Sequence, residues 1–381
     1  MTRFCFLFAL LSGLGPLPAA AVEHVVFKQD GEEISITGRL IVKTDDGGLL
    51  IESADGMQWM VPPEDLVKHK HDDEPLKALS PSEMGERLRH ELPGFEIHVT
   101  QHYVICHNTS RVYAQWCGAL FERLYKAFTN FWTRKGFDLH EPEFPLVALV
   151  FADADSYAAY AAREAGDGAR TIIGYYSFAL NRVAMHDLTG VQALRKSGGK
   201  HSNSNEINQM LARPEAERTV ATIIHEATHQ IAFNCGLQTR GANHPLWFSE
   251  GLAIYFETPD LSSSKGWRTI GAVNRVRLAG FRRYLRKGRP ADSLVTLLTR
   301  DDRLRDGDPE RSADAYAEAW ALNYFLFRHR PKQYLAYVRL MSEKKPLIAN
   351  DAETRLREFQ KVFGDLRQLD AEFIKQMGKV R

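Results

Sequence analysis

The chain has 381 residues with a formal net charge of +1 and 44% hydrophobic residues, an ordinary globular composition with ample material for a core. The near balance of charge, without long blocks of one sign, excludes a dedicated nucleic-acid binder and an acidic disordered chain. No repeat of 20 to 50 residues is present, so solenoids drop out as well.

Met1 and Arg3 precede the apolar run Phe4 to Leu11, and Gly15, Pro16, Pro18 and Ala19-Ala20-Ala21 follow. This order of a cation, a short apolar stretch and small residues predicts a signal peptide over residues 1–21, cleaved after Ala21. Cys5 stands too far ahead of the small residues to carry a lipid, so the expected product is exported, periplasmic or extracellular, without stable membrane insertion. Cys106, Cys117 and Cys235 remain in the mature chain. Cys106 and Cys117 are the local candidates for a disulfide, and the alternative is three buried thiols.

Residues 22–75 are expected to form a small antiparallel β module. Ile34 and Ile36 alternate with polar neighbours, Leu40-Ile41-Val42 and Leu49-Leu50-Ile51 are short apolar runs, and Asp46-Gly47 and Asp55-Gly56 are hairpin signals. Such a module serves as a docking element or a lid. Residues 62–85 are polar and interrupted by prolines, which places the domain boundary there and a linker over residues 76–94. His69 and His71 fall in this stretch, where a solvated charge run is the simpler reading than a metal pair.

Residues 95–381 are expected to form one further domain. Glu96 to Ile105 and Leu146 to Phe151 predict strands, Tyr113 to Trp132 and Ser156 to Arg163 predict helices, and one or two strands surround Gly174-Tyr175-Tyr176. A loop rich in Gly, Ser and Asn occupies 197–205, and the remainder is mainly helical. A strand-rich half followed by a helical half is an α+β arrangement.

The chemistry concentrates in His225-Glu226-Ala227-Thr228-His229. Val220, Ile224, Ala227 and Ile231 form one buried stripe of a helix that starts near Pro214 and Glu215. The four-residue spacing puts His225 and His229 one turn apart on one face, able to reach a single tetrahedral ion, with Glu226 beside them. A catalytic zinc site needs a third protein ligand. The metzincin pattern fails, because Ala232 and Cys235 stand where its Gly and third His belong. Glu250, near the first turn of a helical run and 21 positions beyond His229, is one candidate, and Cys235 is another.

The segment His225-Glu226-x-x-His229, followed by Trp247-Phe248-Ser249-Glu250-Gly251-Leu252-Ala253-x-Tyr255-Phe256-Glu257, resembles the peptidase-MA-like gluzincins. It is most similar to an uncharacterised family of exported bacterial proteins in that clan, over about residues 95 to 330, with Ile173-Gly174-Tyr175-Tyr176 and Asn181-Arg182-Val183 included. The resemblance implies a thermolysin-like two-lobed domain in which His225, His229 and Glu250 bind Zn2+ and Glu226 is the general base. It also suggests Tyr316 as donor to a developing oxyanion, although Tyr316, Trp320 and Tyr324 equally read as a core stripe. Glu257 either orients a ligand imidazole or faces solvent. The strand near Gly174 is either an edge for an extended peptide or a core strand.

The leading expectation is thus an exported zinc metallopeptidase acting on a peptide or protein. Its alternatives are a zinc amidase acting on cell-wall peptide and a non-catalytic envelope protein with structural zinc.

Overall fold

In a computed structural model, residues 21–188, 214–258 and 270–381 are described. Residues 1–20 of the expected signal peptide and the 197–205 loop lie outside them. The architecture is α+β: two five-stranded sheets come first and a helical region follows. No helix among the described residues is long and apolar enough to cross a membrane.

The first sheet contains β1 (Ala21–Gln29), β2 (Glu32–Lys43), β3 (Leu49–Ser53), β4 (Gln58–Val61) and β5 (Leu66–Pro75), in the order β4-β3-β2-β1-β5. All its pairings are antiparallel. Its apolar face is a small core of Val25, Phe27, Ile36, Leu49, Ile51 and Val61. β5 closes the expected module of residues 22–75, its polar residues pairing with β1. Residues 76–94 are not a linker throughout. Helix α1 (Pro81–Glu91) begins there on a reciprocal cap, with the Ser80 side chain accepting from the Glu83 N–H and the Glu83 carboxylate accepting from the Ser80 N–H. It buries Met84 and Leu88 against the second sheet.

That second sheet runs β6 (Glu96–Val99), β7 (Tyr103–His107), β8 (Leu146–Phe151), β10 (Arg182–His186) and β9 (Gly174–Ser177). β7, β8 and β10 are parallel, and the outer strands pair antiparallel. β8, buried along its whole length, takes the centre, as its unbroken apolar run requires. Alternate residues divide between two cores. Val104, Cys106, Val147 and Leu149 face α1 and α3 (Ala154–Ala165), whereas Tyr103, Ile105, Leu146 and Ala148 face α2 (Arg111–Thr133) and the helical half. This division settles the cysteines. Cys106 and Cys117 lie in different cores on opposite faces of the sheet, and Cys106, Cys117 and Cys235 are all free, buried thiols.

The helical half is built from α4 (Pro214–Asn234), α5 (Leu246–Phe256), α6 (Arg275–Arg286), α7 (Ser293–Thr299), α8 (Pro309–His329), α9 (Pro331–Ser342), α10 (Ala352–Phe363) and α11 (Leu366–Met377). Helix α5 is apolar nearly all round and is buried among α4, α8, Tyr334 and Tyr337. At Gly251 the backbones of α5 and α8 come so close that a Cβ would stand 2.7 Å from the Ala319 carbonyl oxygen and closer still to the Asn323 amide. The β module is tied to this body by Arg240, whose guanidinium pairs with Glu52 and donates to the Gly56 carbonyl at 2.7 Å.

Candidate metal centre

Helix α4 reaches the site because its other face is pinned to the second sheet. The Gln230 amide donates to the carbonyls of Val147 (3.0 Å) and Asn181 (3.2 Å), and Asn181 and Asn234 exchange amide hydrogen bonds of 2.7 and 2.8 Å. Asn181 sits in the turn between β9 and β10 at φ 53°, a left-handed conformation that Asn tolerates better than most side chains. With those residues directed at the sheet, the four-residue spacing turns His225 and His229 the other way, toward α5.

Helix α5 presents Glu250 to them. Its N-terminus follows Pro245 and has no side-chain cap of its own. Instead the Leu246 N–H donates to Asp301 at 2.9 Å, and Arg355 holds Asp301 through two contacts of 2.9 and 2.8 Å. Asn323 on α8 donates to the Trp247 carbonyl at 3.1 Å. The first turn of α5 is therefore held from two sides.

His225 Nε2 lies 3.1 Å from His229 Nε2 and 3.0 Å from Glu250 Oε2, and His229 Nε2 lies 3.5 Å from Glu250 Oε1. One donor atom from each of these three residues falls within 4.8 Å of the others, and no further such group of His, Cys, Asp or Glu occurs among the described residues. Tetrahedral ligands bonded at roughly 2.0–2.1 Å stand about 3.3 Å apart, so the spacing matches that of donors around one small ion. The buried His225, His229 and Glu250 can hold a metal ion. Cys235, the other candidate third ligand, is not part of this group and is buried at the end of α4.

The electrostatics are those of a site that carries positive charge. Burial alone would pull the His225 imidazole down, but its hydrogen bonds to Glu250 and Glu257 hold it well above the ordinary histidine value. Burial alone would raise Glu250, and His229 and His225 instead drive it well below the carboxylate range. A metal ion would replace the proton that this arrangement retains. Glu226, on the next position of α4, has its carboxyl raised chiefly by burial and also by Glu250, and its Oε2 accepts the Tyr176 N–H of β9 at 2.8 Å.

Glu257 is buried and not solvent-facing: its Oε1 accepts from His225 Nδ1 at 2.9 Å. Its Oε2 accepts from Asn274 at 3.1 Å, and Arg277 lies 3.7 Å from Oε1. With hydrogen kept on Nδ1, the nitrogen that would give up its proton to a metal is Nε2, whose electron pair would then face the site. Tyr316 on α8 is half-buried beside the same group. Glu250, then burial, then Glu226 push its phenol upward, and Arg277 lies over its ring. β9 is an edge strand, and its Tyr176 amide points at Glu226.

Asn274, Asp301 and Arg355 escaped the sequence reading. Each acts on a residue 17 or more positions away, through one or two hydrogen bonds that leave no periodic trace. Asn274 had one local signal, as the side-chain N-cap of α6.

The fold and site thus define an α+β protein with a buried His-His-Glu group between two helices. One protein family, described as a protein of unknown function (DUF1570), matches residues 219–348, a third of the chain that includes His225, His229 and Glu250. No curated protein matches the chain.

Proposed function

We propose that this protein is an exported zinc-dependent metallopeptidase. The observation that carries the reading is the convergence of His225, His229 and Glu250 on one point with the carboxylate of Glu226 beside them. A structural zinc site closes its fourth position with another Cys or His, and an adjacent base has no use there. Three protein donors including a carboxylate are instead the set that leaves a position for water and substrate. Export rests on residues 1–21 of the sequence.

Zinc bound by His225, His229 and Glu250 would supply a Lewis acid and bring the pKa of water close to neutrality. The chain's own residues then divide the work. Glu226 accepts a proton from the attacking water and delivers it to the leaving amine, and the burial that raises its carboxyl suits it to hold that proton between the two transfers. The Tyr176 N–H keeps one Glu226 oxygen fixed and leaves the other free. Tyr316 donates its phenolic hydrogen to the oxyanion, a role that its high pKa permits because the phenol stays protonated. Glu257 keeps the electron pair of His225 directed at the ion and stabilises the imidazole as charge shifts.

The test is hydrolysis of an unstructured protein such as casein by the zinc-loaded protein and by Glu226→Gln. The variant is expected to bind zinc as the wild type does and to lose about 10²- to 10⁴-fold in rate. Equal rates would refute the catalytic assignment, and zinc binding without hydrolysis by either protein would favour the non-catalytic envelope protein.

A further inference from the structure

We propose a second divalent-metal site on the β module, built from His69, His71 and Glu23. It is independent of the helix site and of any peptidase activity.

The β1–β5 pairing sets Glu23 opposite His71 and Val25 opposite His69. Side chains two apart along a strand share a face, so His69 and His71 both rise on the side of Glu23. Glu23 also shares its face of β1 with Val25 and Phe27, which belong to the module's core. Its side chain is only 8% exposed. His69 Nε2 lies 2.6 Å from Glu23 Oε2, and His71 Nδ1 lies 3.1 Å from Glu23 Oε1.

A buried carboxylate is costly unless a positive charge answers it. Among the described residues, the ion-pairing partners of Glu23 are these two imidazoles, with no Lys or Arg. An imidazole supplies that charge only when it is protonated. A divalent ion between the two ring nitrogens and the carboxylate supplies it and makes both histidines ligands.

The donor atoms are less tightly gathered here than in the helix site, the only group drawn within 4.8 Å among the described residues. The His71 side chain is 55% exposed, so its ring can turn toward His69 Nε2 against little packing. Asp73, two residues on and 3.6 Å from His71 Nε2, extends the same face with a further carboxylate. Two imidazoles and a carboxylate select zinc, nickel or copper over magnesium or calcium, which prefer all-oxygen sites.

The experiment is equilibrium dialysis of the purified protein against Zn2+ at neutral pH, with bound metal counted by elemental analysis and folding checked by circular dichroism. The variants are His69→Gln with His71→Gln, Glu23→Gln alone, and His225→Gln with His229→Gln. The wild type is expected to take up two equivalents, and the His69/His71 and His225/His229 variants one each. Glu23→Gln is expected to weaken the module site by more than the roughly 10- to 100-fold typical of losing an outer partner. Wild-type uptake and affinity in the His69/His71 variant would overturn the site, and unchanged affinity in Glu23→Gln would overturn the three-donor assignment. If the helix site takes no zinc, the wild type binds one equivalent and loses it only in the module variants. That outcome removes the peptidase reading and leaves this site standing.

Discussion

Glu257→Gln changes one atom of the side chain and offers a sharp test of how the His225 ligand is held. In the native arrangement both carboxylate oxygens accept, one from His225 Nδ1 at 2.9 Å and one from Asn274 at 3.1 Å. An amide has only one acceptor oxygen, so its nitrogen must face one of these two donors. Facing Asn274, it sets two amide groups against each other. Facing His225, it forces hydrogen onto Nε2, where the metal needs an electron pair. Either choice also removes the negative charge that stabilises the imidazole. Outer partners of ligating histidines contribute about 10- to 100-fold in metal affinity, or roughly 1.4–2.7 kcal/mol. The expected result is a zinc affinity lowered by that factor in competition with a chromophoric chelator, with a native circular dichroism spectrum. A Glu257→Asp variant, which keeps the charge but shortens the reach, should fall between. Zinc affinity within twofold of wild type in a folded Glu257→Gln protein would refute the role given to this carboxylate.

Gly251→Ala should cost about 1–3 kcal/mol of stability by overpacking, because the new methyl group meets the Ala319 carbonyl at 2.7 Å in a rigid helix pair. Urea denaturation of the metal-free protein checks it, and an unchanged midpoint would mean that α5 and α8 are not so close. Burial pushes the His244 imidazole down to about 4, so between pH 6.5 and about 4 the unfolded chain binds a proton that the folded one rejects. That contribution, about 3 kcal/mol, is complete above pH 6.5 and lost as the pH falls through this window; denaturation midpoints at pH 7 and 4.5 should show a smaller difference in His244→Gln. Burial also raises the thiols of Cys106 and Cys235 to about 12. With Cys117 likewise buried, none of the three should be alkylated at pH 8 before denaturant is added, as peptide mass mapping will show.

Much of this protein could be read locally. The stripe Val220, Ile224, Ala227 and Ile231 announces α4 and its phase, and that phase alone puts His225 and His229 on one side. The unbroken run Leu146 to Phe151 announces a central strand. These are properties of a dozen or fewer neighbouring residues, and helical and extended backbones impose their periods on any sequence that must bury one face. The choice of Glu250 over Cys235 was narrowed by motif, but the arrangement of α4 and α5 is what brings Glu250, and not Cys235, to the two imidazoles.

Other features had no local voice. β5 is polar enough to pass for a linker, and only its pairing with β1 makes Leu66–Pro75 a strand. Met84 and Leu88 in α1 gain their meaning from the sheet they cover. Cys106 and Cys117, close in sequence, are parted by that sheet. Asp301 and Arg355 secure the helix that carries Glu250 although they stand 51 and more residues beyond it. Sequence alone therefore determined most of the elements and the chemical types gathered in the motif, because short-range sterics and periodic burial set those. Tertiary structure decided which charges meet, since a hydrogen bond between distant residues depends on where two chain segments cross and leaves no pattern along either one.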